Sequence, residues 1–219
     1  MHKNSRLLFE KYARQHFRPE MRVLEIGPDR DPSTYRSIVG ANSAWDTLDF
    51  ASRSDVPLTY RTTDEYRFPV ADSAYDLVFA AQVIEHVRKV WLWVPELARV
   101  CRPGGLVIII NPVSWHFHES PVDCWRIYPE GMRALCEEAG LEVVLSLWES
   151  VELEGLSRIT PAGLRKHRIM QRLSGVVGML NAGLKFPVEA AYDTITVARR
   201  PAPSESDPAT PPPLSDHPA

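Results

Sequence analysis

VLEIGPDRD at Val23–Asp31 and YDLVFAAQVIEHV at Tyr75–Val87 carry the fold in their pattern. Each begins as an apolar, strand-like run and breaks into polar or turn-forming residues where a strand's carboxyl end would fall. In an open α/β sheet such ends line up along one edge, and the crevice outside that edge binds ligands. The first run closes on Glu25-Ile26-Gly27-Pro28, a tight turn that lets backbone approach a ligand. Asp49, 22 positions beyond Gly27, closes another strand and is placed to accept both hydroxyls of a ribose. The pattern predicts a pocket for a nucleoside-containing cofactor.

A dinucleotide turn of the G-x-G-x-x-G type uses its later glycines to admit a pyrophosphate. Here Gly27 stands alone, and Asp29 and Asp31 follow it. Two carboxylates repel a pyrophosphate but tolerate a cofactor carrying an ammonium and a sulfonium. This disfavours a NAD-dependent oxidoreductase, which stays as an alternative.

With these segments in hand, the chain resembles the class I S-adenosylmethionine-dependent methyltransferases. It is similar to the type 11-like group, including members associated with sugar, polysaccharide or natural-product biosynthesis. VLEIGP resembles the family's first motif, and TLDF its ribose-binding strand. DEYRFPVADSAYDLVFAAQVIEHV resembles the adenine-contacting stretch and the fourth strand with its Glu-His ending. ELARVCRPGGLVIII resembles the helix, turn and fifth strand that follow. The match runs over roughly residues 20 to 150. It implies S-adenosyl-L-methionine as cofactor, held by Glu25, Gly27, Pro28, Asp49, Phe50, Asp64 and Gln82. Asp29 stands where members usually carry a second glycine.

The expected fold is α/β: a Rossmann-like seven-stranded sheet, mostly parallel, with helices on both faces. By resemblance its last strand is antiparallel. Strands are expected at Arg22–Ile26, Ala44–Phe50, Leu58–Thr62, Asp76–Ala81, Leu106–Ile110, Glu142–Leu147 and Tyr192–Ala198. Helices are expected at Ser5–Phe17 and Ser33–Val39, from Pro95 to just before Arg102, and from Pro129 with Gly140 as its stop.

Residues 1–200 read as one methyltransferase domain with a helical insertion at about 155–188, and residues 201–219 as a disordered, Pro-rich tail. The insertion carries Arg158, Arg165, Lys166, Arg168 and Arg172 with no acid from Gly155 to Val188. It reads as a cover helix with a solvated basic edge, or as a lid that steers an anionic acceptor or touches a membrane surface. Glu205, Asp207 and Asp216 lie in the tail and no Lys or Arg follows Arg200, so residues 1–200 balance in charge. That balance, with no Asn-Pro-Pro-Tyr-like motif, argues against nucleic acid as substrate. No apolar run reaches membrane-spanning length, and Cys101, Cys124 and Cys136 lack paired spacing, as in a reduced cytoplasmic protein.

His86 follows Glu85 just past the fourth strand. After the fifth strand, NPVSWHFHESPVDCWRIYPEGMRAL crowds His116, His118, Glu119, Asp123 and Arg126 into one loop. His118, Pro121, Asp123 and Arg126 resemble a pattern of sugar-associated family members. The catalytic candidates are His86, His118 and Asp123: one histidine takes the acceptor proton, Asp123 orients it or binds an acceptor hydroxyl, and Arg126 anchors the loop. No metal is expected, since the spacing of His116, His118, Glu119 and Asp123 fits no tight metal motif. The expected partner is a small-molecule or glycan acceptor. A non-catalytic cofactor-binding regulator is the other alternative.

Overall fold

A computed structural model describes residues 3–40, 44–52, 55–119, 121–151 and 191–202. The insertion expected at about 155–188 and residues 203–219 of the tail lie outside the described residues. Seven strands, β1 (Arg22–Ile26), β2 (Ala44–Phe50), β3 (Tyr60–Thr62), β4 (Tyr75–Ala81), β5 (Cys101–Ser114), β6 (Glu142–Glu149) and β7 (Tyr192–Arg199), form one sheet. Their spatial order is β3-β2-β1-β4-β5-β7-β6. The first five strands pair in parallel; β7 lies antiparallel between β5 and β6. The chain runs outward from β1 to β3, then crosses back to start β4 on the other side of β1. This reversal opens a crevice at the carboxyl ends of β1 and β4.

Alternation along the central strands feeds two cores. Leu24, Ile26, Val78, Ala80, Val107 and Ile109 face α3 (Val90–Val100) and α4 (Pro129–Glu138). Val23, Leu77, Phe79, Ile108 and Ile110 face α1 (Lys3–Leu8) and Tyr35 of α2 (Thr34–Val39). Both faces of the sheet are covered, which is why its strands read as continuous apolar runs. Helix α4 closes as expected on Gly140, at φ +72°: Gly140 N–H donates to Glu137 O and Leu141 N–H to Cys136 O.

Four elements start two or more residues away from the sequence expectation. The N-terminal helix starts at Lys3 and passes through a π turn (Phe9–Ala13) and a 3-10 turn (Arg14–His16). Pro95 does not open α3, which starts five residues earlier. The proline lacks the N–H that would bond Trp91 O, so α3 runs through it with one intrahelical bond fewer. Strand β3 starts at Tyr60, because Thr47 and Thr59 exchange N–H to Oγ1 bonds of 3.1 and 3.2 Å ahead of it. Strand β5 starts at Cys101: Arg102–Gly105 bulge between the pairs Tyr75–Cys101 and Leu77–Leu106. A Cβ at Gly105 would lie 2.8 Å from Asp76 O, so the bulge needs that glycine.

Candidate functional site

The crevice begins at Gly27, whose φ of +70° and N–H bond to Leu48 O (2.9 Å) fold the chain back over β2. A Cβ there would sit 2.6 Å from Val83 Cγ2. Both the backbone and the close approach therefore require glycine. Gly27, Pro28, Asp49, Phe50 and Gln82 line a cleft of about 330 Å³, and His86 and His118 line it too. Asp49, at the end of β2, accepts Phe50 N–H at 2.8 Å through Oδ1. Asp64 lies in an adjoining recess shared with Asp49 and Phe50, its Oδ1 accepting Tyr66 N–H at 2.8 Å.

Glu25, expected among the cofactor contacts, stands apart from these residues. It is buried in the strand and does not line the cleft: its Oε2 accepts Ser33 Oγ–H at 2.5 Å and Trp45 Nε1–H at 2.8 Å. Burial pushes its carboxyl up to about 7. Ser33 in turn caps α2 by accepting Arg36 N–H (3.0 Å), so Glu25 braces the loop from inside. Asp29, in the position of the usual second glycine, has a matching role: it accepts both Thr34 N–H (2.9 Å) and Thr34 Oγ1–H (2.6 Å) at the start of α2. Side chains close this loop where a second glycine would leave backbone room.

At the other end, Gln82 leaves β4 at φ +57° and donates Nε2–H to Asp193 Oδ1 (3.0 Å). Asp193 is fully buried on β7 and also accepts from Asn4 Nδ2 at 2.7 Å. This buried link ties β4, β7 and α1 beneath the cleft floor. A lone aspartate in the apolar run YDTITVA was its sequence signal, and sequence reasoning passed over it. Glu85 was passed over as well. It is fully buried, neither carboxylate oxygen has a hydrogen-bond partner among the described residues, and burial pushes its carboxyl up to about 8.

His86 and His118 do meet, with ring centroids 5.1 Å apart and planes perpendicular. His86 Nδ1 lies 2.5 Å from Val122 O, and burial lowers its pKa below the usual imidazole value. Asp123 turns inward. Its side chain is 1% exposed and does not face an acceptor. Both oxygens are gripped by Arg126 (2.5 and 2.7 Å), and Oδ2 also accepts His118 N–H at 2.8 Å. Arg126, foremost, holds the Asp123 carboxyl down at about 2. The pair anchors the loop, as expected of Arg126. Trp125 Nε1–H to Val87 O (2.8 Å) and Cys124 N–H to Glu85 O (2.7 Å) pin the loop to the turn after β4. Asp123 thus positions His118 through its backbone. Among the described residues, His116, His118, Glu119 and Asp123 do not gather into a ligand set; Glu85, His86 and His118 do.

Comparison with known proteins agrees with this layout. The family described as methyltransferase domain matches residues 33–109, from the start of α2 into β5. Over those residues, about a third of the chain, this protein is similar to that methyltransferase-domain family. Over 77 residues it is 32% identical to a ubiquinone biosynthesis O-methyltransferase of Rhizobium etli, a match covering 33% of this chain and 31% of that protein. The match thus spans about a third of such curated relatives. The same fold occurs in Haemonchus contortus phosphoethanolamine N-methyltransferase 2, solved with S-adenosyl-L-methionine: TM-score 0.53, 14% identity, 90% of this chain and 52% of that one. It occurs also in a SAM-dependent methyltransferase from Aquifex aeolicus: TM-score 0.53, 15% identity, 90% and 89% coverage. No helix among the described residues is long and apolar enough to cross a membrane.

Proposed function

We propose that this protein transfers the methyl group of S-adenosyl-L-methionine to an oxygen or nitrogen of a small-molecule or glycan acceptor. The observation that carries this reading is the shared cleft: Gly27 and Asp49 face one part of it, and His86 and His118 another. Asp49 accepts the ribose hydroxyls, and Phe50 and Asp64 in the adjoining recess serve the adenine. The Gly27 turn admits the cofactor's backbone-hugging portion. The acceptor enters beside the two histidines.

Because the sulfonium is already an activated electrophile, the protein has two tasks: to align the nucleophile with the methyl group and to dispose of its proton. Alignment in a closed site supplies several kcal/mol of the barrier. His86 suits the second task. Its lowered pKa keeps the ring neutral at pH 7, and with Nδ1 held by Val122 O, Nε2 is the basic atom.

Incubating the full chain with the cofactor and a panel of phenolic, sugar and amine acceptors should produce S-adenosylhomocysteine above the acceptor-free rate. Binding of cofactor without turnover across acceptor classes would favour the non-catalytic regulator. A melting temperature raised by NAD instead would favour the oxidoreductase.

A further inference from the structure

Glu85, His86 and His118 bring one carboxylate and two imidazole ligand atoms within 4.8 Å of one another. The fold forces them together from two elements, the turn after β4 and the loop after β5. Glu85 is 0% exposed and, among the described residues, neither of its oxygens has a hydrogen-bond partner; a buried polar group in that condition calls for a partner such as an ion. His86 Nε2, 3.8 Å from Glu85 Oε1, is too distant to be one directly. That span suits an ion held between them. Two donors each about 2.1 Å from a tetrahedral cation sit roughly 3.4 Å apart, a few tenths of an ångström closer than these.

The ring contacts point the same way. His86 Nδ1 lies 2.5 Å from Val122 O; His118 Nδ1 lies 3.2 Å from His116 O and 3.5 Å from Asp123 Oδ2. A metal-bound imidazole characteristically donates its other ring N–H to a carbonyl or carboxylate, which fixes tautomer and orientation. Both rings are held in that manner.

We propose that Glu85, His86 and His118 bind a first-row divalent cation at the acceptor end of the cleft. Two imidazoles and one carboxylate suit zinc, cobalt, manganese or iron better than magnesium or calcium. The expectation of no metal rested on a different residue set, which the structure does not bring together. The chemistry of the ion, though not its binding, rests on the methyltransferase reading. Three protein ligands leave positions open for an acceptor hydroxyl, whose proton passes to solvent on coordination. The oxygen then attacks the sulfonium methyl; the new C–O bond forms as the S–CH3 bond breaks, and the cofactor leaves as a neutral thioether. In this form the histidines are ligands, and the ion activates the acceptor in place of a free imidazole base.

The test is metal binding by the full chain, freed of metal by chelation and titrated with Co2+ under visible absorption and with Zn2+ in a calorimeter, without cofactor or acceptor. One equivalent should bind with a Kd of about 10 µM or tighter. Glu85→Gln and His86→Ala should each weaken binding at least about tenfold while circular dichroism shows them folded, and His116→Ala should bind as the parent does. Absence of saturable binding by the parent chain, or parental affinity in both folded variants, would overturn the proposal. No methyl transfer enters this titration, so its failure leaves the methyltransferase reading standing, and absent turnover with intact Co2+ binding counts against that reading alone.

Discussion

At the scale of single residues, the acids of this site divide by what surrounds them rather than by where they stand in the sequence. Glu25, Asp49 and Glu85 all lie at or just past strand ends, yet Asp49 alone lines the cleft. Glu25 and Glu85 are buried, and burial raises both, to about 7 and about 8. Between the unfolded value near 4.5 and these folded values, the folded chain keeps protons that the unfolded chain has released. Stability from this source is therefore complete at low pH and is lost as pH rises through about 7 to 8. In the presence of a chelator, the melting temperature should fall from pH 6 to pH 9, and Glu85→Gln, which keeps the shape without the charge, should flatten that fall. An equally steep decline in the variant would place the titration elsewhere. Burial also sets Glu25 apart from Asp49: its motif position was legible, but nothing local showed that Ser33 and Trp45 would engage its carboxylate.

Among the elements, the loop after β5 is organised around one ion pair. Arg126 neutralises the buried Asp123 carboxylate, and Asp123 in turn fixes the His118 backbone. Arg126→Ala leaves that carboxylate without its cation, so the loop should loosen and His118 should leave the cleft. Expected are a lowered melting temperature, at least about tenfold lower turnover and unchanged cofactor affinity; equal losses in cofactor binding would mean the loop supports the other end of the cleft instead. The crowding of polar residues between Trp115 and Arg126 was readable as a functional loop. Asp123 was read as orienting a histidine or binding an acceptor hydroxyl; its pairing with Arg126 depends on a three-residue spacing that only the folded loop turns inward. Helix boundaries failed for a similar reason. Pro95 is a common helix opener, but α3 starts at Val90 and carries the proline inside.

For the molecule as a whole, the alternation of apolar strands and helices made the seven-stranded sheet legible, because strands buried on both faces must be apolar throughout. The buried Asn4–Asp193–Gln82 link was not legible, since it joins residues 111 and 189 positions apart. The last strand closes the domain through Arg200, whose Nη1 donates to Ala98 O, Arg99 O and Cys101 O at 2.6 to 3.0 Å, at the carboxyl end of α3. A cation there also meets the negative end of the helix dipole. Truncation after Ala202 should therefore leave the melting temperature within about a degree, because the Pro-rich remainder has almost nothing apolar to bury. Truncation before Arg200 should lower it by several degrees, and equal effects of the two cuts would contradict this role of Arg200.

The central claim, that one cleft at the ends of β1 and β2 holds the adenosyl cofactor, is tested most directly by calorimetric titration of S-adenosylhomocysteine into the full chain and its Asp49→Ala variant. The parent should bind one equivalent, and the variant should bind at least about tenfold more weakly, since a lost hydrogen bond to a charged group costs about 1.5–3 kcal/mol. No binding to the parent, or equal affinity in the two proteins, would contradict the account.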